Sequence, residues 1–514
     1  MTATLRHVTE QAYFFVEEDT PVSDATLQTI GSDFESVVYP AVTGAFGHEW
    51  SPGIDSDPRI TILHVDLDGA GGYFSGSDEF PRAVAPNSNE REMITLDVNI
   101  LSAPGVAYNA LAAHELQHMV HWNADVGEDS WVNEGLSQVA AELAGGGSSL
   151  LGLYLDSPDV GLVDWPEIGQ SAVHYAASEL FFTYLLDQYG GRDNAARLLA
   201  EPLDGIEGVQ SYLDGFDADF EDVFANWLAA TYLDDESGSY AHLGADTSGV
   251  SRVFIDSPGA DDGAVSQFGA DFLEISAPAD NWRFFFDGAE NAAPPTPALD
   301  GPYYWSNQGD AIDSTMTTEL DLSNVDTATL KFDVWYETER GWDYAYVAAS
   351  TDDGATWQAL KGSQTSAYDP VGHSYGSGYT GSSEGWVEES IDLSVYAGDT
   401  VLIRFEYVTD GSTNLAGFAV DNIDVPEIGF RADGDASARW DSEGFEIVSG
   451  PITQEWLVQV IDHDTNEVRR IDLDAASQTL LGWGLSGPST IIISAISEGS
   501  RAKADYSWRL IVTN

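Results

Sequence analysis

Three of the ten histidines fall in one short stretch, HELQHMVHW, residues 114–122. His114 and His118 are four positions apart, so on a helix both imidazoles face the same side. Neutral imidazole nitrogens bind zinc, and a catalytic zinc keeps three protein ligands plus a water. Glu115 follows His114 directly. It would stand beside such a metal without ligating it, placed to take a proton from the metal-bound water. The chemistry on offer is attack of an activated water on a carbonyl. The competing reading is a surface helix with stray histidines.

A third ligand is required, and spacing sorts the candidates. The pattern H-E-x-x-H-x-x-G-x-x-H fails here, because its glycine position holds His121 and its last position Ala124. The other solution is an acid from a second helix downstream. WVNEGLSQ supplies Glu134, with Glu128, Asp129 and Glu142 as rivals. The plain alternative for Glu134 is an acid favoured by the dipole in a helix's first turn. His121 is expected outside the ligand set or exposed. His174 and Tyr175 are candidates for stabilising an oxyanion, against a capping or core aromatic pair. REMITLDV (91–98) is a candidate edge strand for pairing with an extended substrate, or an ordinary core strand.

Strands and helices must position these groups. Residues 8–16 and 59–65 read as strands, with helical spacing between them and Ser23 and Asp24 as capping candidates. GAGGYFSGSDEF (69–80) reads as a loop. Apolar residues recur every three or four positions from Val106 to Trp122, and NADVGEDS breaks that run. Further helices are expected over 131–145, 174–191 and 220–235. Beyond about residue 245 the chain turns to short alternating segments, such as 330–337, 344–350, 401–408 and 416–425, which read as antiparallel strands. ENAAPPTPALDGP (290–302) looks like a domain boundary, and no strict repeat is visible. The fold class is multidomain: an α+β domain followed by all-β domains.

Composition narrows the setting. There are 86 acidic and 19 basic residues in 514, a net charge of −67. The acids are interleaved with aromatics along the whole chain, so a solvated acidic surface is expected. Self-repulsion at low salt fades when molar salt shortens the screening length. That points to adaptation to high salt, with an acidic cation-binding matrix protein as the rival. Nucleic acid and anionic membranes are poor partners for such a surface. The chain has no cysteine, so a metal must be held by His, Asp or Glu. No apolar run is long enough for a membrane span. The start, MTATLRHVTEQAYFF, lacks the pattern of a signal peptide, as in a cytosolic, mature or truncated chain.

These residues also carry a resemblance. YPAVTGAFGHEWSPGIDSDPRITILHVD, GGYFSGSDEF, SNEREMITLD, AAHELQHMVHW and SWVNEGLSQVAAEL together resemble the hyicolysin-type zinc metallopeptidases, secreted enzymes of gluzincin type. The resemblance implies zinc on His114, His118 and Glu134, with Glu115 catalytic. In the second half, LDLSNVDTATLKFDVWYETERGWDYAYVAASTDDGATW and the run from TGSSEGW to DNIDV are similar to the β-sandwich of immune inhibitor A-type metallopeptidases. After His118 the chain departs from that group's glycine-rich continuation.

The implied organisation is a zincin-like catalytic domain over 1–240, then an inserted jelly-roll-like β-sandwich over 300–425. The sandwich lies within a discontinuous β domain made of 250–295 and 428–514. The implied function is a secreted zinc endopeptidase adapted to high salt, extracellular or at the cell surface, acting on proteins or peptides as a monomer without membrane insertion. The alternative is an inactive surface or adhesion protein that keeps the fold. STDDGATW (350–357) reads as a structural turn, Asp343 and Asp421 as candidates for a structural Ca²⁺, and GPYYWSNQG as the candidate exposed aromatic patch for glycan binding.

Overall fold

The structure is a computed structural model. It describes residues 2–513 except 68, 148–149, 167–169, 277–281, 298, 300, 412, 414, 435–438, 480–481 and 486. Two positions of the expected boundary at 290–302 therefore lie outside the described residues.

Period-two burial builds the first sheet. In β2 (Ala12–Glu17) Ala12, Phe14 and Val16 face inward and are fully buried. The strand expected over 8–16 is instead a hairpin. The chain reverses after β1 (Ala3–Val8), and Thr9 N–H donates to the Ala12 carbonyl. β3 (Ile60–Val65) and β5 (Met93–Asp97) run parallel to β2, and β4 (Gly72–Phe74) closes the sheet antiparallel, in the order β1-β2-β3-β5-β4. REMITLDV is therefore not an edge strand, because β5 is paired on both sides. The edge belongs to three residues of the glycine-rich stretch read as a loop, a segment too short to show alternation.

The helices cover this sheet. α1 (Asp24–Asp33) is capped by the Ser23 side chain and runs through a π-turn into α2 (Tyr39–Phe46). α3 (Val106–Ala124) buries Tyr108, Ala112, Leu116, Met119 and Val120. α4 (Ser130–Leu143) packs between α3 and a long helix over Ala172–Gln188. Gly135 makes that approach possible: a Cβ there would lie 2.4 Å from the Phe182 ring.

The second half is β. Strands between Tyr303 and Val448 form two antiparallel sheets around Met316, Phe332, Phe405 and Phe418. Strands Phe430–Ala432, Asp441–Glu443 and Glu446–Val448 belong to these sheets, so they extend past the expected limit at 425. Strands from Val253–Ile255 to Gly259–Val265, Asp271–Ile275 and Trp282–Gly288, together with those from Trp456 to Val512, form two more sheets. Phe268, Phe272, Leu457 and Ile492 join the helical core beside Phe224 and Trp227.

STDDGATW keeps its expected role, and two other expectations change. STDDGATW is a turn, with Asp352 accepting from Ser350 Oγ and the Thr356 backbone. Tyr303, Tyr304 and Trp305 are buried, because both neighbouring strands pair with theirs, so GPYYWSNQG presents no aromatic patch. Asp421 accepts from Gly434 N–H and feels Asp333 and Asp433, whereas Asp343 groups with Glu339 and Asp410. The two aspartates thus do not pair. Among the described residues no helix is long and apolar enough to cross a membrane.

One acid group makes stability depend on pH. Glu79 is buried with Glu49, Asp78 and Glu92. Burial, then the charges of Glu92, Asp78 and Glu49, push its pKa up to about 8. A raised carboxyl stabilises the fold most below its unfolded value, and that stabilisation is lost as pH rises through the folded value. In molar NaCl the thermal midpoint is expected to fall as pH rises from about 4.5 to about 8, and Glu79→Gln to flatten that fall. Melting curves followed by circular dichroism check this. An equal slope in the variant would remove Glu79 as the cause.

Candidate metal centre

Helices α3 and α4 bring three ligand-type atoms together. His114 Nε2 and His118 Nε2 are 3.1 Å apart. Glu134 Oε2 lies 3.2 Å from the first and 3.3 Å from the second. Zinc bound at about 2.0–2.1 Å in a tetrahedral array separates its ligands by roughly 3.3 Å, so this triangle fits that ion. Glu134 Oε2 is buried with no hydrogen-bond partner, as expected of an atom reserved for a cation. Glu115 offers a carboxylate oxygen within 4.8 Å of both imidazoles.

Electrostatics agree with the grouping. Burial disfavours a charged His118, but Glu134 and then Glu115 outweigh it and lift its pKa to about 9. Burial would raise the Glu134 carboxyl, but His118 and His114 outweigh it and hold it well below the usual carboxylate range. Glu115 is raised, by burial first and by Glu134 last, with the imidazoles opposing. A buried base above its ordinary value is suited to proton transfer.

A hydrogen-bonded layer holds the ligands. His118 Nδ1–H donates to Asn133 Oδ1 at 2.8 Å, which in the neutral ring leaves the Nε2 lone pair for a metal. Ser137 Oγ lies 3.1 Å from the same Nδ1 and donates to Gln117 Oε1. His121 is buried rather than exposed, with Nδ1 3.4 Å from Gln117 Nε2, and burial pulls its pKa down to about 3. Asn133 and Ser137 were not singled out from sequence. The available signal was their spacing around Glu134 on α4, one residue before and three after.

The remaining candidates separate. The Tyr175 ring lies 6.2 Å from that of His114, and burial, then the Glu134 carboxylate, push its hydroxyl pKa up. His174 points elsewhere: its Nδ1 bonds to the Gly161 carbonyl at 3.1 Å, and its ring packs on Trp165. Glu142 pairs with Arg192 at 2.9 Å, and Glu128 accepts from the backbone of Asp129 and Gly205. Asp129 stands at the N-cap of α4. None of these three acids joins the triangle. The edge strand β4 lies against the site, since a Cβ on Gly72 would come within 2.7 Å of Glu115 Oε1.

The start of α4 is fastened from the β-sandwich. Asp310 Oδ2 accepts from the Ser130 backbone N–H at 2.7 Å and from its hydroxyl, and both residues are buried. An anion at a helix N-terminus satisfies donors that the helix itself leaves open.

Residues 289–450 match the family described as "Immune inhibitor A-like, MAM domain". Over 159 residues the chain is 33% identical to Immune inhibitor A of Bacillus thuringiensis subsp. alesti, covering 30% of this chain and 22% of that one. Over 120 residues it is 33% identical to the Pre-pro-metalloprotease PrtV of Vibrio cholerae serotype O1 (strain M66-2), covering 23% of this chain and 12% of that one. The chain therefore matches less than a quarter of either relative's length. These likenesses relate its β-rich half to immune inhibitor A-type metallopeptidases, and the family match lies outside α3 and α4.

The Asn133 contact yields a direct test. Asn133→Ala removes the acceptor that orients His118, and is expected to weaken zinc binding by about 10–100-fold. Competition with a chromogenic chelator reads this. Unchanged affinity would mean that Asn133 does not orient the ring.

Proposed function

We propose that the chain is a zinc-dependent endopeptidase that cleaves protein or peptide substrates outside the cell at high salt. The observation that carries this reading is the 3.1–3.3 Å triangle of His114, His118 and Glu134 with Glu115 beside it. The relatives' printed names, an immune inhibitor and a metalloprotease, support the peptidase class. The extracellular setting rests on the sequence resemblance, and the salt preference on the net charge of −67. Residues up to about 240 would form the catalytic unit, and the β-rich remainder would dock or stabilise it.

Zinc, when bound by His114, His118 and Glu134, supplies a Lewis acid that polarises a carbonyl and acidifies a water. Glu115 takes the proton of the attacking water and passes it to the leaving amine, a role suited to its burial and raised pKa. Tyr175, whose ring lies 6.2 Å from that of His114 and whose hydroxyl feels the Glu134 charge, is the candidate to stabilise a developing oxyanion. His174 has no part in this. β4 offers its free edge to the backbone of an extended substrate beside Glu115.

Casein hydrolysis in molar NaCl, with zinc content measured on the same samples, tests the reading. Glu115→Gln is expected to keep zinc and to lose activity by about 10²–10⁴-fold. Zinc retained by both proteins with no cleavage by the wild type would sink the peptidase reading. Zinc absent from both would sink the metal centre itself.

A further inference from the structure

A groove of about 400 Å³ lies between the helical half and the β-sandwich. One wall is the segment after β4, with Ser77 and residues 84–88, and the other is the outer face of the sandwich. Asn87 Nδ2 donates to the Val371 carbonyl at 2.8 Å and ties the two walls together.

Strand period explains the sandwich wall. In the strand Tyr344–Ser350, Ala345 and Val347 enter the sandwich core, so Tyr344 and Tyr346 stand on the opposite face. Tyr375 stacks on Tyr346 with ring centres 5.7 Å apart, and it is 71% exposed, so its far side is open. Trp342 is 40% exposed, and Val84 from the other wall 70%. Apolar surface gathered in a concave place marks a binding site more often than apolar surface scattered singly.

Charge selects the occupant. Among the described residues that line the groove there is a carboxylate, Asp410, and no lysine or arginine. Register puts Glu406 directly opposite Tyr346, and Asp313 opposite Val408, which itself faces Tyr344. Directly opposite side chains share a face, and both carboxylates act on Tyr375. Two residues on from Glu406, Arg404 places its guanidinium over the Trp357 ring at 4.0 Å, so this face already holds a cation on an aromatic. The neutral polar groups are occupied: Asn87 on Val371, Ser88 on the Asp78 and Phe80 carbonyls, Ser374 on that of Gly376. Open ring faces near carboxylates suit a cation.

We propose that the groove extends the substrate cleft and takes an arginine or lysine side chain of an extended protein substrate, seated on Tyr375 beside Trp342. Its place in the cleft rests on the peptidase reading; its preference for a cation does not. Gly72 of β4 lies against Glu115, and Ser77 is five residues further on. Five residues span at most roughly 18 Å, so a substrate laid along β4 reaches the groove within about five residues of the bond cleaved. In molar salt the carboxylates are screened, and contact of the cation with the rings carries the selection.

The test uses the full chain in molar NaCl and two fluorescein-labelled hexapeptides, one with two arginines and its counterpart with two glutamines. Binding is followed by anisotropy in the Glu115→Gln background, which does not consume the peptide. The arginine peptide is expected to bind more tightly than the glutamine one. Adding Tyr375→Leu, which keeps an apolar side chain but removes the ring, is expected to weaken the arginine peptide roughly 2–30-fold and leave the glutamine peptide unchanged. Equal affinities of the two peptides, or equal losses in the variant, would overturn the proposal. If Tyr375→Leu does not fold, Trp342→Leu takes its place under the same criteria. With Glu115 intact, the arginine peptide is expected to raise the KM for casein without changing kcat, and to do so less in Tyr375→Leu. Binding without this competition would overturn the groove's place in the cleft. Arginine-selective binding by a chain that cleaves no casein would count against the peptidase reading and leave the cation site standing.

Discussion

Two imidazoles and a carboxylate held 3.1–3.3 Å apart are the constraint on which the helical half depends. Such a group is stable only with a proton or a cation shared among its members, and only if the two helices cannot drift apart. Gly135 lets α4 settle against Phe182 on one side. Asn133 and Ser137 tie α4 to His118 on the other. The core around Leu116, Val120, Leu136 and Val139 closes the joint. These contacts come from α4 on either side of Glu134, from the facing side of α3 and from Phe182 on the helix over Ala172–Gln188.

Much of this was legible in the sequence because helices announce themselves by period. The expected start of α3 at Val106 is its actual start, and the expected strand 344–350 coincides with the observed one. Pairing was not legible. A three-residue edge strand has no period to detect, so β4 was hidden in a glycine-rich stretch and its role was assigned to REMITLDV. The hairpin at 9–11 was missed for the same reason. His174 and Tyr175 are adjacent in sequence, yet on a helix neighbours point about 100° apart, and only Tyr175 turns to the ligands. Asp410 could not be joined to Asp343 from sequence, because strand register alone brings them together.

The acidity of the chain has two structural expressions. On the surface it is a solvated coat that salt can screen. Inside, it is concentrated in small groups, Glu49 with Asp78, Glu79 and Glu92, and Asp343 with Glu339 and Asp410. Only the second kind sets local geometry, because buried charge is not screened and must find a proton or a counter-ion.

The cap on α4 comes from a residue 180 positions downstream. During synthesis His114, His118 and Glu134 therefore leave the ribosome well before Asp310 exists. At about 5–20 residues per second, that interval lasts roughly 9–36 seconds. Over that time the first turn of α4 lacks its buried anion, and it gains it only once the sandwich strands have closed. The order of translation thus constrains the order of assembly: the helix that carries Glu134 gains its cap only after the segment holding Asp310 has been made.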